Sequence, residues 1–173
     1  STMLNMIAGV YPIDKGTIIL NGEDISRKPE YARAKFLGRV FQDPMMGTAA
    51  GMEIEENLAL AYRRGLKRGL RWSITKGERE RYHEALKTLG LGLEDRMTTK
   101  VGLLSGGQRQ ALTLLMASLR KPDLLLLDEH TAALDPKTAA KVLELTEEII
   151  ARQKLTALMI THNMRDAIRM GNR

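Results

Sequence analysis

The sequence predicts an α/β protein: a parallel sheet wound with helices on both sides, with a mostly helical stretch set into it. Three observations carry this. The run Leu124-Leu125-Leu126-Leu127, leading into Asp128-Glu129, reads as a buried parallel strand that delivers two carboxylates to its C-terminal edge. After it, helix (about 136–152), strand (155–160) and helix (163–170) alternate, as in a doubly wound sheet. Between Gly51 and Leu103 the pattern is helical, with Gly65, Gly69 and Gly77 expected to break it into pieces.

Taken in order, Met3, Leu4, Met6 and Ile7 give the first residues a helical pattern that Gly9 ends. Residues 16–20 read as a strand, and Asn21-Gly22 as a tight hairpin turn. A polar helix over about 29–35 precedes a short strand, 38–41. A long helix starts at Ser105-Gly106-Gly107 and runs to about Leu119, where Lys121-Pro122-Asp123 stops it. The ten methionines fall mainly at core spacings and are read as packing, and His83 and His130 are given no functional role.

Composition narrows the function classes. With 43% apolar and 28% charged residues, the 173-residue chain is ordinary for one soluble domain with a proper core. The absence of cysteine excludes disulfides, thiolate metal sites and thiol catalysis. No apolar run approaches the ~18 residues needed to span a bilayer, so the simplest expectation is a cytoplasmic protein. The net charge of +6 sits in one segment: residues 63–81 hold eight basic and two acidic residues, and the remainder is neutral. That distribution argues against a general nucleic-acid-binding surface.

In Leu104-Ser105-Gly106-Gly107-Gln108, two glycines after a serine open a helix and leave backbone N–H groups and a hydroxyl for a phosphate. The run matches, letter for letter, the signature motif of ATP-binding-cassette (ABC) ATPases, and the chain resembles that family along essentially its whole length. Val40-Phe41-Gln42-Asp43 resembles the Q-loop, Asp128-Glu129 the end of Walker B, Ala132-Ala133-Leu134-Asp135 the D-loop, and Ile160-Thr161-His162-Asn163 the switch-histidine loop. The five motifs follow the family's order. Within the family the chain is most similar to import-type ATPases of amino-acid uptake, including tryptophan/tyrosine systems.

The resemblance implies a P-loop NTPase (RecA-like) parallel-sheet core, over about 1–50 and 121–173, with an inserted α-helical subdomain over about 51–120. It also implies a chain incomplete at both ends. The family's phosphate-binding loop ends in Gly-Lys-Ser/Thr, so Ser1 aligns with the hydroxyl residue after the lysine. The glycine-rich loop would then precede Ser1, further strands would follow Arg173, and the 173-residue piece alone would be inactive.

By the same resemblance, Asp128 holds Mg²⁺ through water, Ser1 ligates it, and Gln42 reaches the metal or the lytic water. Glu129 polarises the attacking water and His162 hydrogen-bonds the γ-phosphate of ATP. Ser1 and Thr2 meet the nucleotide's phosphates. Ser105, Gly106, Gly107 and Gln108 close over ATP held by a second subunit, with Asp135 supporting that interface.

The implied partners are a second nucleotide-binding domain in a head-to-tail homodimer, transmembrane permease subunits and a solute-binding protein, with no nucleic acid. The implied location is the inner face of the cell membrane, as a peripheral protein. The basic segment with Trp72 is expected to dock against the transporter's membrane-proximal surface. Two other readings stay open: a soluble ABC ATPase acting on nucleic acid or ribosomes, for which the chain lacks sustained heptads, and a non-catalytic binding module.

Overall fold

Leu125, Leu126 and Leu127 are fully buried, and their alternation divides the interior in two. They belong to the central strand of a three-stranded sheet. The computed structural model describes residues 2–66 and 74–172. In chain order these form α1 (Thr2–Ala8), β1 (Ile19–Leu20), β2 (Glu23–Asp24), α2 (Glu30–Arg33), β3 (Leu37–Val40), α3 (Ile54–Tyr62) and α4 (Lys76–Lys87). Then follow α5 (Gly106–Ser118), β4 (Leu124–Asp128), α6 (Pro136–Gln153), β5 (Ala157–Ile160) and α7 (Met164–Met170).

β4 runs parallel to β3 on one side and to β5 on the other, in the order β3-β4-β5. Both edges of its backbone are satisfied within the sheet, and a strand so placed buries both faces. On one face Leu125 and Leu127 join a large core with Leu58, Leu86, Leu112, Leu115 and Ile149 from the helices. On the other, Leu126 packs with Leu37 and with Leu4 and Ala8 of α1. The three carboxyl-terminal strand ends therefore open at one edge.

The C-terminus of α1 is fixed by a buried arginine. Arg33 donates from Nη1 to the carbonyls of Met6 and Ile7 at 2.7 and 2.9 Å, from Nη2 to Ser26 O at 2.8 Å and from Nε to Lys28 O at 2.7 Å. Carbonyls left over at a helix end are thus satisfied by one guanidinium, which also ties down the segment after the β1–β2 hairpin. Gly9 is required beside it: its φ is +85°, and a Cβ there would lie 2.9 Å from Arg33 Nε.

Several elements differ from expectation. Only Ile19–Leu20 of residues 16–20 is strand, because Ile18 N bonds the Ser26 hydroxyl (2.7 Å) instead of extending the ladder. Asn21 and Gly22, at φ 50° and 79°, do make the turn. The polar helix shortens to Glu30–Arg33 behind Pro29. Gly77 does not break the chain: it lies in the first turn of α4, started by a reciprocal cap in which Thr75 Oγ1 accepts Glu78 N–H and Glu78 Oε2 accepts Thr75 N–H. Gly65 does end a segment, at φ +74°, while Gly69 lies outside the described residues. Leu155 belongs to the stop of α6, bonding back to Ile150 O after left-handed Lys154.

Met97, Met116 and Met159 pack against the larger core from partly buried positions, whereas Met3, Met45, Met46 and Met164 are exposed, so the packing role holds for only some of the methionines. His130 is the reverse case. Its ring is buried, with Nε2 3.1 Å from Thr146 Oγ1, which itself donates to Val142 O at 2.7 Å. This histidine fastens the turn after β4 to helix α6.

Two outcomes test this packing. Glu55, buried on α3, is held by two 2.7 Å bonds from the half-exposed Arg79 of α4. Arg79→Ala should lower the midpoint of urea unfolding, because a buried carboxylate loses its partner. Burial pushes His130 down to about 4, from 6.5. The folded state therefore binds fewer protons than the unfolded chain between these values. Stability should be full above pH 6.5 and decline toward pH 4, by about 3 kcal/mol at most, and His130→Gln should remove that part of the acid dependence.

Candidate functional site

The sheet delivers three groups expected to act together. Asp128 ends β4 with its carboxylate buried, and Glu129 follows it. Glu129 sits at φ +46°, a conformation that costs a side-chain-bearing residue about 1–3 kcal/mol and turns its carboxylate back over the strand ends. Its N–H bonds Ile160 O at 2.9 Å, so the end of β5 holds that turn. Two residues beyond Ile160, His162 Nε2 lies 2.9 Å from Glu129 Oε1. The imidazole is 85% exposed while the glutamate side chain is only 14% exposed, leaving a wet histidine over a largely sheltered carboxylate.

Gln42 stands just past β3, exposed, and lines with Asp128 a cavity of about 640 Å³ that Asn5, Tyr11, Arg39 and Asp43 also border. Thr2 is exposed at the start of α1, and Ser1 lies outside the described residues. A carboxylate and an amide beside an open cavity are oxygen donors of the kind Mg²⁺ takes alongside substrate phosphates. Among the described residues no group of three or more His, Cys, Asp or Glu could cage a metal alone. The donor set fits an ion carried in by a polyphosphate.

Ser105, Gly106, Gly107 and Gln108 do not line that cavity. They form the N-terminus of α5, where Ser105 Oγ accepts Gln108 N–H (3.3 Å) and Gln108 Oε1 accepts Ser105 N–H (3.2 Å). Asp135 caps α6 by accepting Thr138 N–H at 3.1 Å, and hydrogen bonding from Thr138 holds its carboxyl below the usual range. The two helix starts touch: a Cβ on Gly107 would fall 2.1 Å from Thr138 Cγ2. The signature run and the start of α6 are therefore one surface, joined to the Asp128 cavity through Ala133, which lines it.

Three side chains outside the expected set join these parts. Arg109 donates to the carbonyls of Val101, Gly102 and Leu104 (3.3, 3.0 and 3.0 Å), shaping the approach to Ser105. Gln110, fully buried, donates to Phe41 O at 3.1 Å and so ties α5 to the residue before Gln42. Arg39 reaches from β3 toward Asp128. The available signal for the last two was polarity where the pattern demanded an apolar side chain.

Among the described residues of the basic segment, four arginines are occupied within the chain. Arg63 bonds Glu78 at 3.0 Å, Arg64 donates to Ala117 O at 3.2 Å, Arg79 holds Glu55, and Arg81 stacks on and bonds Tyr62. Lys67, Arg68, Arg71 and Trp72 lie outside the described residues.

Against known proteins, a family model described as ABC transporter matches residues 1–132. The chain is 45% identical over 177 residues to the tyrosine transport ATP-binding protein of Clostridioides difficile (strain R20291), covering all of this chain and 68% of that protein. It is 34% identical to the thiamine import ATP-binding protein of Chelativorans sp. (strain BNC1), with coverage of 100% and 65%. The chain thus spans about two thirds of these relatives' length. Among solved structures, an ABC transporter's ATP-binding cassette in its ADP conformation superposes with a TM-score of 0.77 at 25% identity, covering 97% of this chain and 67% of the other. A dimeric cassette in a post-hydrolysis state with ADP and Pi does so at 0.77 and 26%, covering 96% and 71%.

The contact between the two helix starts is directly testable. A helical Gly→Ala change ordinarily stabilises, but Gly107→Ala should destabilise by about 1–3 kcal/mol because the β-branched Thr138 cannot give way freely. Adding Thr138→Ser, which deletes the clashing methyl, should recover most of the loss in a double-mutant cycle of thermal melts.

Proposed function

This chain belongs to the ABC transporter family as an ATP-binding subunit, and from that premise we propose that it hydrolyses ATP through Asp128, Glu129, His162 and Gln42 to drive solute import. The observation that carries the proposal is the convergence at one sheet edge of a buried aspartate, a sheltered glutamate and a histidine 2.9 Å from it. Phosphoryl transfer needs positioning and charge stabilisation more than covalent chemistry. Glu129 is placed to orient and take a proton from the attacking water, and His162 to hold both that carboxylate and the γ-phosphate. Asp128, Gln42 and Ser1 would hold Mg²⁺, which when bound neutralises charge on the β- and γ-phosphates. Thr2 stands at the helix start that meets those phosphates.

Ser105, Gly106, Gly107 and Gln108 lie away from the Asp128 cavity, which supports a head-to-tail homodimer in which each signature run closes over the other copy's ATP and Asp135 supports the seam. In this reading residues 1–50 and 121–173 are the nucleotide-binding core and residues 51–120 the subdomain that carries the signature. A groove of about 450 Å³ between them, lined in part by Tyr31, Met46, Leu60 and Leu66, suits an apolar helical segment of a permease. Among the described residues no helix is long and apolar enough to cross a membrane, which fits a subunit that works from the inner face beside membrane partners, with a solute-binding protein on the far side. The tyrosine transport relative favours an aromatic amino acid as cargo.

Glu129→Gln in the full-length protein should cut steady-state phosphate release by about 10²–10⁴ while leaving ATP binding intact. Turnover within a few-fold of wild type would overturn the assignment.

A further inference from the structure

Arg39 is the one charged residue in β3, between buried Gly38 and Val40. Its side chain is 16% exposed, and Nη2 lies 3.8 Å from Asp128 Oδ2. That separation is outside hydrogen-bonding range, so the guanidinium gives the carboxylate charge without occupying its lone pairs. Its donors are directed elsewhere. Nη2 bonds Asn5 Oδ1 of α1 at 2.5 Å, the guanidinium carbon stands 4.5 Å from the centre of the Phe41 ring, and Nε is buried with no partner among the described residues.

An arginine with a buried, unused N–H is an expensive way to fill a strand position. A structural ion pair would have used bidentate contact with Asp128. Arg39 instead is tethered by Asn5 and the ring at a fixed stand-off, inside the cavity that Gln42 and Asp128 share. Held there, it supplies the positive charge that a buried carboxylate needs when no cation is bound. A divalent ion arriving at the same carboxylate meets that charge as repulsion.

We infer that Arg39 is a positioning residue for the metal end of the site: a resident counter-cation beside Asp128 that raises the concentration of divalent ion needed to load it. This rests on the reading that Asp128 serves a nucleotide-bound divalent ion. It makes the metal requirement a property of a strand residue three positions before Gln42, so a shift of the Q-loop strand would change metal affinity.

The test is titration of Mn²⁺ into the full-length protein saturated with ADP, with free ion followed by electron paramagnetic resonance. Arg39→Met and Arg39→Gln should bind Mn²⁺ tighter by about fivefold, the factor matching the ~1 kcal/mol that a unit charge and a divalent ion exchange at roughly 8 Å in a water-like medium. Arg39→Lys should stay near wild type, and raising the salt should shrink the difference. The sign separates the idea from a packing role, since loosening the site would weaken binding. Arg39→Gln keeps a donor toward Asn5 and carries the test should Arg39→Met unfold. Neutral variants that bind Mn²⁺ as wild type does, or more weakly, overturn the inference and leave the ATPase reading standing. Wild-type protein that takes up no Mn²⁺ with ADP overturns both.

Discussion

A strand paired on both edges and covered on both faces has no freedom to slip, since a shift of one residue would send every side chain to the wrong layer. β4 is such a strand, with Leu125 and Leu127 in one core and Leu126 in the other. Its fixed register sets where Asp128 emerges, and the parallel pairing with β5 brings Ile160 within 2.9 Å of Glu129 N, so that His162 arrives over the glutamate. The polar constellation is therefore held by apolar burial some residues away. Disturbing Leu126 would move the carboxylates without touching them.

The same strand links the two halves of the molecule. β3 pairs with β4 and leads into Phe41, whose carbonyl is held by buried Gln110 of α5. α5 begins at the signature serine and packs through Thr113 against Gly47, where an added Cβ would lie 2.6 Å from the threonine methyl. A displacement of the segment after Gln42 thus has a packed and hydrogen-bonded route to Ser105, through side chains whose tight fit leaves little slack.

Much of this was legible in the sequence where a local pattern carried it. Four leucines before two acids are sufficient to mark β4 and its carboxylates, and a histidine after an apolar strand marks the same edge. The helix start at Ser105 was likewise visible in its residue types, whereas the cap that Asp135 makes on α6 was not read from the sequence. What could not be read depends on contacts between distant segments. Arg39 approaches Asp128 only because β3 pairs in the register that sets Arg39 opposite Leu126. His130 is buried only because α6 lies over it, and Gly77 was misjudged because the reciprocal Thr75–Glu78 cap outweighs glycine's weak helix propensity. The methionines were assigned by spacing, yet several stand on loops or rims where no second element covers them.

The cap at Ser105 has a consequence for how this surface could meet an anion. A hydroxyl carries one donor and two acceptor positions, and accepting Gln108 N–H uses an acceptor only. The proton remains to be given, from an oxygen whose rotamer the cap has already chosen, at a helix end whose dipole favours negative charge. The loop would not need to reorganise when a phosphate reached it. Little conformational entropy would then be lost at that side chain, and the pace of the encounter would be set by diffusion and by the relative orientation of the two bodies.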